Sequence, residues 1–131
     1  MSSEKHPVAI LVVEDNPINA MVTRLLIQRK GFAVDLAENG KQALELLQKK
    51  SYGLVVMDIS MPVMDGLEAT RRIRSGELPG VDPAIPVVGL TAHNLADEEQ
   101  KYLGAGMDRV LRKPMDAALL DDVIDRFCAW I

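Results

Sequence analysis

Residues 8–17 read Val-Ala-Ile-Leu-Val-Val-Glu-Asp-Asn-Pro, and this stretch sets the pattern on which the whole chain is built. The first six residues form a continuous apolar run, which is typical of a parallel strand covered on both faces. Asn16 can then cap a helix that begins with Pro17, because proline is favoured in the first helical turn. The stretch therefore predicts a buried strand that passes directly into a helix.

The same alternation recurs along the rest of the chain. Strand-like apolar runs lie at 32–37, 54–57, 87–90 and 110–111, and helical periodicity follows each of them. Five strands alternating with five helices predict an α/β doubly wound sandwich, with helices on both faces of a parallel sheet. We expect the flavodoxin-like (βα)5 arrangement with strand order 2-1-3-4-5, which places the topological switch between strands one and three.

Composition indicates one globular domain, which we expect to span residues 7–131 behind a polar tail at 1–6. Apolar residues make up 48% of the chain and charged residues 26%, the balance of a globular protein rather than a disordered or membrane-embedded one. The formal net charge of −4 supplies no basic field for a nucleic acid or an anionic membrane surface.

The N-terminus and the cysteine content bear on cellular location. No signal-peptide core or bilayer-length apolar run is found in the sequence. The single cysteine, Cys128, rules out an intrachain disulfide and fits a reducing compartment. We therefore expect the domain to be cytoplasmic.

Polar side chains stand at the ends of four predicted strands. Glu14 and Asp15 follow the first strand, Asp58 the third, Thr91 the fourth and Lys113 the fifth. Because the carboxyl ends of parallel strands meet at one edge of a sheet, we expect these groups to converge in one pocket. Three carboxylates, a hydroxyl and an ammonium are together the outline of a metal and phosphate site.

The chemistry that such a pocket supports follows from its charges. Carboxylates held close together raise one another's pKa unless a cation keeps them ionised, and Mg²⁺ prefers oxygen ligands in a partly open site. A carboxylate oxygen of Asp58 can attack a phosphorus atom and form an acyl phosphate. Lys113 and Mg²⁺ would supply positive charge to the transferred group, and the Thr91 hydroxyl a hydrogen bond.

At these residues the chain resembles the response-regulator receiver domain of two-component signalling, and most of all the receivers of hybrid sensor histidine kinases. The resemblance runs from about Pro7 to the C-terminus, and its motifs are individually weak but jointly specific. They lie at 11–19, 57–66, 67–74, 90–93 and 104–108, the last of these leading to Lys113-Pro114.

The resemblance implies a metal-binding role for four residues. Asp15 would bind Mg²⁺ directly, Glu14 would act through water, and the Asp58 carboxylate and the Ser60 backbone carbonyl would complete the protein ligands. Glu14 stands where Asp is more usual, and its extra methylene is expected to change metal affinity modestly.

The resemblance also implies how the phosphoryl group is accepted and sensed. Asp58 would be the phosphoacceptor, Thr91 the hydroxyl that turns toward the phosphoryl group, and Lys113 the ion-pair partner, aimed by a cis bond to Pro114. Val110 departs from the family pattern, because receivers usually carry Tyr or Phe three residues before the lysine. We therefore expect the signal through the fifth strand to be weaker or carried differently.

The implied phosphodonor is a histidine kinase or a histidine phosphotransfer domain, and the first helix bears on how it docks. That helix carries an apolar stripe wider than a core-facing helix needs: Ile18, Met21, Val22, Leu25 and Leu26. The stripe predicts a well-buried helix with Ile27 on the opposite side, or else a helix whose edge near Ile18 and Met21 docks a helical donor. We expect a monomer or weak dimer.

Two other functions fit parts of the sequence. A metal-dependent phosphatase with an aspartyl nucleophile typically needs a second acid two residues on, where this chain has Ser60. A phosphorylation-independent interaction module is favoured by Val110 but opposed by the full set of site residues. We expect a non-enzymatic signalling domain. It is either a free regulator or, as the resemblance of its motifs to hybrid-kinase receivers favours, a piece of a hybrid kinase.

Overall fold

The computed structural model describes residues 9–59, 64–91, 95–113 and 117–128, with the backbone alone for 95–98. Five strands alternate with five helices along these segments, as the sequence pattern predicts. The strands are β1 Ala9–Val13, β2 Ala33–Ala37, β3 Leu54–Asp58, β4 Val87–Thr91 and β5 Arg109–Arg112. The helices are α1 Pro17–Gln28, α2 Gly40–Lys49, α3 Gly66–Arg74, α4 Leu95–Gly104 and α5 Ala117–Phe127. The predicted tail at 1–6 lies outside the described residues.

All the strands are parallel and lie in the order β2-β1-β3-β4-β5, so the predicted doubly wound topology is confirmed. The register brings the strand ends together, because Val13 pairs with Met57 and Asp58 with Leu90. Thr91 pairs with Arg112, one residue before Lys113. The carboxyl edge of the sheet therefore carries every strand-end polar residue that the sequence singles out.

Each face of the sheet has its own apolar core, since successive strand residues point to opposite faces. The first core contains Leu11 and Met57 and lies under α2, α3 and α4. The second contains Val12 and Val56 and lies under α1 and α5. The inward faces of α2, α3 and α5 are formed by buried side chains: Ala43, Leu44, Leu47, Leu67, Ala69, Ile73, Leu120, Val123 and Ile124.

The prediction that the apolar stripe of α1 faces the core is wrong for Ile18, Met21, Val22 and Leu25, whereas Leu26 is partly buried and packs against the second core. Ile18 is 73% exposed and Leu25 is 56% exposed, whereas Ile27, assigned to the opposite side, is fully buried. At 100° per residue the buried face is centred on Ala20, Thr23 and Ile27, which lies on the far side of the helix from the stripe. The small side chains at 20 and 23 let α1 lie close to the sheet with Ile27 buried, and the exposed apolar residues lie on the side turned away from the sheet.

The helix ends follow the predicted chemistry. The side chain of Asn16 accepts hydrogen bonds from the backbone N–H groups of Ile18 and Asn19, at 2.9 and 3.1 Å, and Pro17 opens α1. Gly31, with φ of 98°, follows the end of α1 in a conformation that other residues rarely adopt. These local signals fix the helix bounds independently of the core.

The amino edge of the sheet is held by the guanidinium of Arg74, at the end of α3. Its Nε donates to the carbonyl of Gly106 at 2.8 Å, and Nη1 donates to that of Ile85 at 2.7 Å. Its Nη2 contacts Asp108 Oδ2 at 2.9 Å, and this oxygen also accepts the N–H of Val87. One side chain thus joins α3, the start of β4 and the turn before β5.

Among the described residues, no helix combines the length and the apolar character needed to cross a bilayer.

Candidate functional site at the carboxyl edge

Three carboxylates converge at the carboxyl edge. One oxygen from each of Glu14, Asp15 and Asp58 lies within 4.8 Å of the others. Glu14 directly follows β1 and is 4% exposed, and Asp58 ends the adjacent strand β3 and is 3% exposed, while Asp15 is open to solvent. Two acids are therefore held by the sheet itself, and the third lies at the mouth of the site.

Lys113 brings the ammonium group that the sequence predicts at this edge. Its Nζ lies 3.0 Å from Asp58 Oδ2 and 3.4 Å from Glu14 Oε1. The backbone N–H of Lys113 donates to the carbonyl of Thr91 at 2.7 Å, which extends the pairing of β4 and β5 by one residue. This backbone bond aims the lysine stem across two strands toward the carboxylates.

Thr91 is the last residue of β4 and is buried. It directly follows Leu90, which pairs with Asp58 and whose carbonyl accepts the N–H of Ile59 at 3.0 Å. The hydroxyl-bearing residue therefore lies on the strand next to the predicted phosphoacceptor. Its role as the switch stays a prediction.

Burial and charge set the protonation of the site. Burial, followed by the hydrogen bond with Asp58, raises the pKa of Glu14 to about 7, although the N–H of Asn16 and the charge of Lys113 act to lower it. Burial alone would lower the pKa of Lys113, but the hydrogen bond and charge of Asp58, together with Glu14, raise it. The site thus holds more negative charge than one ammonium neutralises.

These groups fit a hard divalent cation. Among the described residues, the only group of His, Cys, Asp or Glu side chains with ligand atoms close enough for a metal is this trio of carboxylates. An all-oxygen donor set with one exposed acid is the kind of site that Mg²⁺ takes, because that ion keeps several of its waters. A cation would also favour the ionised form of Glu14, against the burial and the neighbouring Asp58 that raise its pKa.

Gly66 is a site residue that the sequence reasoning missed. Its N–H donates to the carbonyl of Ile59 at 2.9 Å, and a Cβ at this position would lie 2.6 Å from the backbone oxygen of Asp58. Only glycine lets the start of α3 press so closely against the end of β3. Its signal was the Asp65-Gly66 pair, in which the Asp65 side chain caps α3 by accepting the N–H of Glu68 at 2.9 Å.

Two predicted features lie outside the described residues, namely the Ser60 carbonyl and the cis bond to Pro114. Val110, at the position where the family pattern has an aromatic ring, lies in β5 and is buried in the first core. A small, buried aliphatic side chain therefore stands where receivers usually have the aromatic ring of the switch.

Comparison with known proteins places this geometry in a family. The profile of the response regulator receiver domain matches residues 10–125. The chain is 42% identical over 122 residues to the aerobic respiration control sensor protein ArcB of Escherichia coli, covering 90% of this chain and 15% of that protein. It spans between 8% and 16% of the first curated relatives that it matches.

Solved structures agree with the sequence relationship. The receiver domain of a Pseudomonas aeruginosa sensor histidine kinase, with magnesium coordinated in its active site cleft, is 36% identical with a TM-score of 0.82, covering 94% of this chain and 98% of that one. The receiver domain of Ssk1 from Saccharomyces cerevisiae, solved with the histidine phosphotransfer protein Ypd1, is 28% identical with a TM-score of 0.83, covering 92% and 88%. The chain belongs to the response regulator receiver domain family.

Proposed function

We propose that this receiver domain accepts a phosphoryl group on Asp58 from a phosphohistidine, with Mg²⁺ in the acidic site. One observation carries the proposal: the buried Asp58 carboxylate lies 3.0 Å from Lys113 Nζ and within 4.8 Å of Glu14 and Asp15 oxygens. A carboxylate that lies beside an ammonium and two further acids is poised for both a cation and a phosphoryl group.

The transfer needs little covalent chemistry from the protein. A carboxylate oxygen of Asp58 forms the new bond to phosphorus while the bond from phosphorus to the histidine nitrogen breaks, and the imidazole keeps the electron pair. Negative charge accumulates on the phosphoryl oxygens in a loose transition state, so positioned positive charge and donors matter more than a base. Lys113 supplies that charge, and the Thr91 hydroxyl donates a hydrogen bond to the transferred group.

Asp15 and Asp58 are proposed as direct ligands of Mg²⁺, Glu14 as a ligand through water and the Ser60 carbonyl as the backbone ligand. The bound cation would neutralise the acids and add positive charge beside the incoming phosphoryl group. Support comes from the clustered carboxylate oxygens described above and from the magnesium ion in the structurally similar Pseudomonas receiver.

The exposed stripe of α1, formed by Ile18, Met21, Val22 and Leu25, is proposed as the docking surface for the phosphodonor. It runs along α1 from the first turn, and α1 begins two residues after Asp15, so a helix packed on it would reach the mouth of the site. The Ypd1 complex of a similar receiver supports a histidine phosphotransfer protein as the class of partner.

The phosphoacceptor assignment is tested with a small donor. Acetyl phosphate with Mg²⁺ should add one phosphoryl group to the wild-type protein by intact mass, beryllofluoride should block the addition, and Asp58→Asn should show none. Labelling of Asp58→Asn at the wild-type level, or a wild type that shows no Mg²⁺-dependent change, would contradict the proposal.

The docking surface is tested separately with Ile18→Glu and Met21→Glu. Transfer from a phosphorylated histidine phosphotransfer protein should slow, while labelling by acetyl phosphate stays unchanged. Leu103→Glu is the matched control, because Leu103 is also a large apolar residue on a helix surface and is 37% exposed. It lies on α4, which packs on the opposite face of the sheet. Equal transfer rates in all three variants would reject the surface.

The rest of the proposed description concerns the setting of the domain. We propose a cytoplasmic signalling domain spanning 7–131 that changes shape on phosphorylation or passes the phosphoryl group onward, either alone or within a hybrid histidine kinase. The sequence match to a short part of long sensor kinases supports the second setting.

A further inference from the structure

Gly89 leaves room on one face of β4, and the side chain of Met107 occupies it. A Cβ at Gly89 would lie 2.5 Å from Met107 Sδ and 3.2 Å from both Met107 Cε and Ile59 Cδ1. Val87, two residues earlier on β4, is buried in the first core, so position 89 faces that core as well. The thioether of Met107 therefore lies where a side chain at position 89 would begin.

The residue paired with Gly89 is the one that departs from the family pattern. Gly89 pairs with Val110 on β5, and Val110 is buried in the same core. Neither residue supplies a large side chain, so a long one from the turn before β5 can reach over β4 toward Ile59. Methionine suits such irregular space because it is unbranched and rotates about three side-chain bonds. Met107, buried in this core, thus fills the room that a glycine and a valine leave.

Two neighbours of Met107 lead directly to the reacting groups. Ile59 follows Asp58, and its N–H donates to a carbonyl of β4 at 3.0 Å. Thr91 lies two residues after Gly89 and therefore on the same face of β4. A phosphoryl group on Asp58 that accepts a hydrogen bond from Thr91 would draw the ends of β3 and β4 together. Such a movement changes the space between Ile59 and Gly89 in which the Met107 thioether lies.

Met107 is also connected to α4 and to the start of β5. Its N–H donates to the carbonyl of Tyr102, near the end of α4, at 3.4 Å, and the Tyr102 side chain is buried in the same core. The next residue, Asp108, donates its N–H to the carbonyl of Val87 at 2.8 Å. A displaced Met107 side chain would therefore act on the end of α4 and on the turn before β5.

We propose that Met107 is the side chain through which this receiver responds to phosphorylation, in place of the aromatic ring that is absent at Val110. Its thioether lies between the strand ends that the phosphoryl group would draw together and the helix α4 that would carry the change onward. The response is a shift in the rotamers of a flexible side chain rather than the movement of a rigid ring. This inference rests on the proposed acceptance of a phosphoryl group by Asp58.

The first test follows the methionine methyl groups of the wild-type protein, labelled with ¹³C. Mg²⁺ and beryllofluoride, which stands in for the phosphoryl group, should shift the Met107 methyl signal, while that of Met21, exposed on α1, should stay in place. Bound beryllofluoride is detected separately by its ¹⁹F signal. An unchanged Met107 methyl in protein that binds beryllofluoride overturns the inference. A protein that binds none overturns the proposed function, and this inference with it.

The second test displaces Met107 without a phosphoryl group. Gly89→Ala places a Cβ against Met107 Sδ, near the far end of a flexible side chain, so the thioether should yield and its methyl signal should shift in the free variant. Beryllofluoride with Mg²⁺ should then shift the Tyr102 amide less than it does in the wild type. Gly104→Ala is the matched control, because a Cβ there meets no atom within 4 Å, and its Tyr102 amide should respond as in the wild type.

Met107→Leu covers the case in which Gly89→Ala does not fold. Leucine nearly conserves the volume of methionine, and such exchanges are well tolerated in cores, but it is shorter and branched. The Tyr102 amide should again shift less on addition of beryllofluoride, although the variant still binds it by the ¹⁹F signal. A Tyr102 response of wild-type size in folded Gly89→Ala or in Met107→Leu overturns the inference.

Discussion

At the scale of single residues, Glu14 shows how burial of a carboxyl group makes stability depend on pH by raising its pKa. Its pKa is raised from 4.5 to about 7, chiefly by burial and then by Asp58, so between these values the folded state binds more protons than the unfolded state. The contribution of Glu14 to the stability of the metal-free protein is therefore fully present below pH 4.5 and is lost as pH rises to about 7.

Glu14→Gln removes this titration. In the presence of a chelator we expect the variant to be more stable than the wild type at pH 8 by about 1–2 kcal/mol, because a neutral amide carries no charge to desolvate. Urea unfolding at pH 5 and pH 8 measures the difference. The two proteins should have nearly equal stability at pH 5, and a pH dependence as steep in Glu14→Gln as in the wild type would contradict the assignment.

Asp35 presents the opposite case. Its carboxylate accepts hydrogen bonds from Tyr52 at 2.7 Å and Lys50 at 2.9 Å. Both bonds lower the pKa of Asp35 below 3.8, and the bond from Tyr52 has the larger effect. A lowered pKa in the folded state stabilises the fold above pH 3.8, and that contribution is lost as pH falls through the folded-state value.

We expect Asp35→Asn to destabilise the protein by about 0.5–1 kcal/mol at pH 7, a modest amount because the group is partly exposed to solvent. The cost should shrink when denaturation is repeated below the ordinary pKa of an aspartate. Asp122→Asn, at an exposed position of α5, is the control and should leave the unfolding free energy unchanged at both pH values. A cost that is constant with pH would show that the charge of Asp35 does not contribute.

At the scale of elements, α1 shows what a sequence pattern can and cannot predict. Asn16 and Pro17 fix where the helix begins because capping is local chemistry, and the strand-end positions of Glu14 and Asp58 follow from the strand pattern alone. The inward face of α1 could not be read in the same way, because most of its large apolar residues point outward and two of its buried residues are the small Ala20 and Thr23. Likewise, the contact of Gly66 with Asp58 joins separate elements and leaves only a turn signal in the sequence.

The inward face of α1 can be measured by two truncations. We expect Ile27→Ala to destabilise the fold by about 2–4 kcal/mol, because it leaves a cavity in the second core. Leu25→Ala, two residues earlier on the solvent side, should cost less than about 1 kcal/mol. Denaturant unfolding of both variants gives the comparison, and equal costs would mean that both residues are packed alike.

At the scale of the whole molecule, the two edges of the sheet carry different tasks. Three carboxylates and the ammonium of Lys113 lie together at the carboxyl edge. At the amino edge, Arg74 joins three elements through two backbone carbonyls and the carboxylate of Asp108. Arg74→Ala should therefore cost about 2–4 kcal/mol in unfolding free energy, since it leaves several acceptors unpaired.

Arg74→Lys should recover only part of that loss, because an ammonium cannot reproduce the planar fork of donors. Both variants should still take up beryllofluoride with Mg²⁺ at a temperature where they are folded, since no atom of Arg74 contributes to the acidic site. Loss of that binding in a folded Arg74→Lys protein would show instead that the amino edge controls the chemistry.

The outward stripe of α1 has a consequence for how such domains diversify. Four apolar side chains of the stripe, Ile18, Met21, Val22 and Leu25, are exposed, so exchanges there should cost little folding stability and, with the proposed docking, would be constrained mainly by recognition. Duplicated copies can diverge in their choice of partner while inheriting one scaffold. With the proposed docking, a combinatorial library at these four positions would be a route to signalling pairs that do not cross-react in the same cell.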